Sequence, residues 1–125
     1  MNILKKLLSK QKDTEILYWF KTKEESQEYY NKKFLEIPIE WFPRAKELFD
    51  NSFSQGWIDE ATSGIMELGL NEWFISEHYF VGMWIRNQLR GAGMLDEELP
   101  DQNWDDYYIP LLEWWLGFRT REGVL

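Results

Sequence analysis

Between Glu72 and Arg90 the residues Trp73, Phe74, Tyr79, Phe80, Val81, Met83, Trp84, Ile85 and Leu89 put apolar side chains around most of the circumference of one long helix. A helix apolar nearly all round is covered on several sides, so other elements must pack around it. Asn71 is placed to cap its start, and Glu72 complements the positive end of the helix. Gly91-Ala92-Gly93 stops it. This segment points to an all-α or mainly α chain, a compact bundle of about five or six helices.

The flanking segments follow the same period. Residues 22–35 open with Thr22 and Glu25 at capping-box spacing, and Tyr29, Tyr30, Phe34 and Leu35 recur at helical intervals. Ile37-Pro38-Ile39 ends that helix, since the residue before a proline avoids the α region. Pro43 starts the next helix, with Ala45, Leu48, Phe49 and Phe53 on its apolar face and Gly56 at its end. Trp57–Leu68 reads as another helix, with Ile58, Ala61, Ile65, Met66 and Leu68 inward. A loop from Met94 to Gln102 precedes a last helix from about Asn103 to Phe118, with Asp105 and Asp106 in its first turn. Pro110 is expected to kink or divide that helix. Residues 14–20 are β-branched and aromatic and admit either a small β element or more helix.

No Gly/Ser/Pro linker divides the 125 residues, so residues 1–125 are expected to form a single domain. A chain of this size buries roughly two-thirds of its extended surface, and its 18% aromatic residues, eight of them Trp, supply large buried areas. Cysteine is absent, which excludes disulfides, a thiol nucleophile and thiolate metal sites. Ile3, Leu4, Leu7 and Leu8 form a two-turn amphipathic stripe with lysines opposite, read as a helix docked on the core. The polar run Ser9–Asp13 follows, so no secretory apolar region develops, and no run approaches a membrane span. The expectation is a soluble, cytoplasmic protein without membrane association.

The net charge of −8 is unevenly placed. Residues 1–33 carry eight Lys and five acids, a net of +3, and residues 34–125 carry six Lys/Arg and 17 acids, a net of −11. Such a body repels a phosphate backbone, so direct nucleic-acid binding is not expected. It suits a basic protein partner, or an acidic mimic of nucleic acid.

His78 is the only histidine, so no multi-His metal site is available, and no Glu-x-x-His pair, EF-hand loop or Gly-x-Ser-x-Gly elbow appears. Neither a metal nor another cofactor is expected. His78, Gly82, Arg86 and Arg90 fall along one helix edge. Gly82 costs about 1 kcal/mol against Ala in a helix interior, which implies the close approach of a backbone or a ring. Arg86 on a largely apolar helix needs a carboxylate, and Asp101, Asp105 and Asp106 are the candidates. Arg86 and Asn87 then tie the Pro100–Asp106 loop to the helix, or they form a pocket for an anion. The three aspartates also admit a metal or paired-carboxylate site, with capping and salt bridging the simpler use. In the pairs Tyr107-Tyr108 and Trp114-Trp115 one ring is expected in the core and one nearer solvent, where it would mark a partner surface. The candidate binding residues are His78, Arg86, Asn87, Asp101, Trp104, Asp105 and Tyr108, with no catalytic residue among them.

The stretch His78-Tyr79-Phe80-Val81-Gly82-Met83-Trp84-Ile85-Arg86-Asn87 resembles the pattern His-aromatic-Gly-x-Gly-Met-aromatic-Ile-Arg-Asn of a family of small bacterial proteins, the domain of unknown function numbered 6794. Gly82–Asn87 is the specific part, and the resemblance spans roughly residues 70–118. The family's later Pro-Asp-Asp segment corresponds to Pro100-Asp101 and Trp104-Asp105-Asp106, with Asp101-Gln102-Asn103 interrupting the acidic pair. Phe80 and Val81 stand where the family has a glycine-rich stretch. The resemblance implies no activity. It implies that His78, Arg86, Asn87 and Asp101 form one constellation, as the helix spacing does.

Three kinds of function follow as expectations. The first is a non-catalytic protein-binding module, immunity- or inhibitor-like, acting through an acidic, aromatic surface. The second is a small-ligand protein or enzyme built on a His78/Arg86/Asn87/Asp101 pocket. The third is an acidic mimic of nucleic acid, which needs acids spaced like phosphates on one face.

Overall fold

The computed structural model describes residues 23–68, 73 and 79–124. Among them are five α-helices, one 3-10 turn and no strand: α1 (Lys23–Glu36), α2 (Trp41–Ser52), α3 (Gln55–Leu68), α4 (Tyr79–Gly91), the 3-10 turn Asp96–Glu98, and α5 (Tyr108–Trp115). The fold is all-α, as the apolar spacing predicts. The expectations for residues 1–10, residues 14–20, the Thr22 cap, and Asn71, Glu72, Phe74 and His78 lie outside the described residues.

Pro38 separates α1 from α2, and its carbonyl accepts the Trp41 N–H at 3.0 Å. Helix α2 therefore begins two residues ahead of Pro43. Proline is tolerated there because a first-turn N–H has no intrahelical acceptor. Trp41, Phe42, Ala45 and Phe49 are its buried stripe. The helix ends at Ser52 rather than at Gly56, because Ser54 starts the next one. The Ser54 hydroxyl accepts the Trp57 N–H at 3.1 Å, an N-cap that satisfies an orphan donor. Within α3, Ala61 and Ile65 are buried, whereas Met66, expected inward, is 75% exposed. Gly64 lets the Trp73 indole lie on the helix backbone, where a Cβ would overlap its Nε1.

Helix α4 packs against both α2 and α5. Its described part is striped rather than apolar all round, with Ile85 and Leu89 fully buried and Met83 and Trp84 exposed. It ends in a Schellman motif. Gly93 takes φ +89°, its N–H reaches the Arg90 carbonyl at 3.0 Å, and the Met94 N–H reaches Leu89 at 3.1 Å.

All-round burial belongs instead to α5, where the five successive residues Tyr108–Leu112 are buried between α1 and α4. This helix starts at Tyr108 and not near Asn103. The N–H groups of Tyr107 and Tyr108 both turn back to the Trp104 carbonyl at 3.1 Å, so Asp105 and Asp106 precede the first turn. Pro110 is then the third helical residue, and the helix is not divided there but runs on to Trp115. Rings fill the centre: Trp41 lies 5.5 Å from Trp104, Phe34 5.5 Å from Phe42, and Phe42 4.9 Å edge-on to Trp114.

Candidate functional site

The residues singled out from the sequence fall into separate clusters. Arg86 does reach the Pro100–Asp106 loop. Its Nη1 lies 3.5 Å from Asp105 Oδ1, and its guanidinium sits 5.3 Å over the Tyr108 ring. The same ring explains Gly82, because a Cβ there would come within 2.5 Å of the Tyr108 hydroxyl. The expected close approach is thus made by Tyr108. Burial pushes the Tyr108 phenol up, against the opposing pull of the Arg86 guanidinium.

Asn87 and Asp101 are engaged elsewhere. The Asn87 side-chain oxygen accepts from Arg90 Nη1 at 2.7 Å. Arg90 also grips Asp96 with two N–H groups, at 2.5 and 3.1 Å, and Asp96 accepts the Trp104 backbone N–H at 3.1 Å. The Arg90 hydrogen bonds hold the Asp96 carboxyl below the usual carboxylate range. Trp104 is fully buried, and its indole N–H donates to the Met94 carbonyl at 2.8 Å. It is therefore a core residue whose one polar atom is satisfied. His78 lies outside the described residues.

Asp101 belongs to a polar box that sequence reading missed. Lys33 on α1 is 7% exposed, and its ammonium bonds Asp101, lies 3.9 Å from Glu36, and sits 5.1 Å over Tyr29 and 5.3 Å over Tyr107. The Tyr29 hydroxyl donates to Asp106, and the Tyr107 hydroxyl donates to Glu36 at 2.9 Å. Burial, reinforced by these carboxylates, raises both phenols well above their ordinary value. The only local signal was Tyr29, Lys33 and Glu36 along one side of α1, since Asp101 and Tyr107 are some seventy residues distant in sequence. The box joins α1 to the loop before α5. As a paired, hydrogen-bonded charge it has the form of a structural tie.

Both Tyr107 and Tyr108 are buried, so neither is the solvent-facing ring expected of that pair. Trp114 and Trp115 are each half-buried. Among the described tryptophans the exposed one is Trp84, at 40%. It forms one wall of an open groove of about 370 Å³, with Ser52, Phe53, Ser54, Trp57 and Val81. Phe53 is the floor, stacked on Trp57 at 4.0 Å and edge-on to Trp84 at 5.5 Å. Local backbone makes this groove: Phe53 leaves α2 in extended conformation, and the Ser54 cap turns Trp57 back beside it.

The groove lies in the most one-sided part of the sequence. No Lys or Arg occurs between Lys46 and Arg86, and Glu47, Asp50, Asp59, Glu60 and Glu67 in that interval are all exposed. Asp50 accepts the Trp115 indole N–H at 2.9 Å, and Trp115 packs 5.5 Å from Phe53. Its carboxyl is held low by hydrogen bonds from Lys46 and Trp115. Among the described residues no three acidic or histidine side chains converge as a metal ion would need, and no helix is long and apolar enough to cross a membrane.

Comparison with protein-family models, curated proteins and solved structures finds no match to this chain.

Proposed function

We propose that this chain is a non-catalytic protein-binding module that takes a basic protein as its partner, as an immunity protein or an inhibitor does. The observation that carries the reading is the cation-free interval Glu47–Ile85, which combines exposed carboxylates with an open aromatic groove. Aromatic anchors in a groove supply binding energy, and a one-signed field supplies fast, selective encounter. The other charged clusters support the reading in a different way. Arg86, Arg90, Lys33 and their carboxylates are tied to one another, which suits a scaffold better than a reacting centre. The likeness to the 6794 family over residues 70–118 belongs to the same proposal and supplies no activity of its own.

Capture from a lysate of the encoding organism tests it, using the tagged full chain with low-salt and then high-salt washes and mass spectrometry of what is retained. The expected result is a basic protein held at low salt and released at high salt, because exposed charge complementarity is screened. Association that ignores salt, or the absence of any basic protein, refutes the reading.

A further inference from the structure

We propose that the half-buried Arg121 guanidinium is a binding site for a small organic acid, a carboxylate carried on a short alkyl stem. It is separate from the aromatic groove and independent of any basic partner.

The arginines of the described residues differ in what holds them. Arg86, Arg90 and Arg119 each meet a carboxylate, at 3.5, 2.5 and 3.2 Å. Arg44 meets none, but it is exposed and its donors face solvent. Arg121 is half-buried and, among the described residues, also meets no carboxylate. Its Nε–H is enclosed without an acceptor, and its one hydrogen bond runs from Nη2 to the Leu35 carbonyl at 3.4 Å. Nη1 makes no hydrogen bond and is not enclosed, so it is open to an incoming group. A guanidinium has five N–H donors, and enclosing one without an acceptor is costly. An arginine used as a structural tie saturates its fork, as Arg90 does on Asp96. The open side of the Arg121 fork is where a charged acceptor offsets the cost of the enclosed side.

The surroundings select the anion. The Arg121 guanidinium lies 5.9 Å over the Phe42 ring and against Leu35, which is 60% exposed. Ile39, 44% exposed, closes the other side: its Cδ1 is 3.1 Å from where a Cβ on Gly123 would stand, in the turn closed by the Val124 N–H and the Arg121 carbonyl. Arg119 reaches Asn31, one turn before Leu35 on α1, and Glu113 already neutralises it. A single positive charge is therefore left without a partner, and one carboxylate matches it in charge and in its planar, two-oxygen shape. The exposed leucine and isoleucine beside it give an alkyl stem a surface on which to leave water.

The test follows the Arg121 Nε–H resonance of the intact, nitrogen-15-labelled protein during titration with hexanoate, acetate and hexanol. The signal is assigned by its loss in Arg121→Gln. Hexanoate is expected to shift it saturably in the millimolar range, acetate to bind severalfold more weakly, and hexanol to leave it in place. Arg121→Gln is expected to weaken hexanoate binding about tenfold, and Arg121→Lys, which keeps the charge and loses the fork, by several fold. Arg44→Gln removes a charge elsewhere and should change nothing. Circular dichroism confirms that each variant is folded, and the wild-type titration stands without them. No shift with hexanoate, an equal shift with hexanol, or undiminished hexanoate binding by Arg121→Gln overturns the proposal. Equal affinities for acetate and hexanoate overturn the alkyl stem, since Leu35 and Ile39 would then take no part.

Discussion

Gly82 offers a measurable test of the packing between α4 and α5. Replacing it with alanine removes the conformational freedom of a mid-helix glycine, which by itself stabilises a helix by about 1 kcal/mol. The new Cβ would stand 2.5 Å from the Tyr108 hydroxyl oxygen, 3.0 Å from Cζ and 3.3 Å from Cε2. Tyr108 has little room to yield. It is 8% exposed, it begins a helix buried for five residues, and its ring lies under the Arg86 guanidinium. Overpacking of this kind costs roughly 1–3 kcal/mol, so the clash outweighs the propensity gain. Gly82→Ala is expected to destabilise the protein by about 1 kcal/mol, or roughly 4 °C in melting temperature for a domain of this size. Removing the hydroxyl with Tyr108→Phe takes away the nearest atom and leaves Cζ as the closest contact. In that background the alanine is expected to be neutral or mildly stabilising. A double-mutant cycle by urea denaturation isolates this coupling from any cost of Tyr108→Phe alone, and about 1 kcal/mol is expected. If Gly82→Ala stabilises the parent protein by its full helix propensity, Tyr108 does not lie against α4.

Two further outcomes follow from the charged clusters. In the polar box, Asp101→Asn is expected to cost more stability than Lys33→Met. The first leaves an ammonium of 9% side-chain exposure facing two rings and a glutamate at 3.9 Å, whereas the second leaves an aspartate that is already 40% exposed. Denaturant titration reads the order, and equal losses would show that Lys33 is not enclosed. The Arg90–Asp96 contact makes stability depend on pH in a definite direction. Because the folded carboxyl is held below its unfolded value, its contribution is fully present above the unfolded value and fades as pH falls through the folded one. The melting-temperature difference between wild type and Asp96→Asn should therefore be largest near neutral pH and shrink below about pH 4. A difference that is constant with pH would count against the ion pair.

The helices were legible in sequence because their signals are local. The Phe34 stripe, the Pro38 break, the apolar face of α2 and the glycine stop after α4 each depend on residues within a turn or two of one another. The errors arose where a local signal had two uses. Pro110 breaks a helix interior but is harmless in a first turn, and only the Trp104 carbonyl, which gathers the Tyr107 and Tyr108 N–H groups, decides that α5 starts late. Gly56 reads as a helix end until the Ser54 cap assigns it to α3. Gly82 was recognisable as a point of close approach, since its cost in a helix requires a return, but its partner ring lies across a helix–helix contact that no spacing rule encodes.

The candidate site divides the same way. Arg86 demanded a carboxylate and found Asp105, one of the three acids its position suggested. Asp101 was taken by Lys33, and nothing near Lys33 announces an acid some seventy residues distant. Sequence reading grouped residues by helix edge, whereas the fold groups them by which helix each loop acid can reach. That redistribution bears on function. Asp50, Asp96, Asp101, Asp105, Asp106, Glu36 and Glu113 all make contacts inside the molecule. A mimic of nucleic acid would instead need carboxylates in a phosphate-like row, and those engaged in internal ties are poorly placed to supply one. What stays exposed in the sequence interval between Lys46 and Arg86 is a set of carboxylates on α2 and α3, together with Trp84. An exposed indole and these exposed carboxylates are what the proposed basic partner would meet.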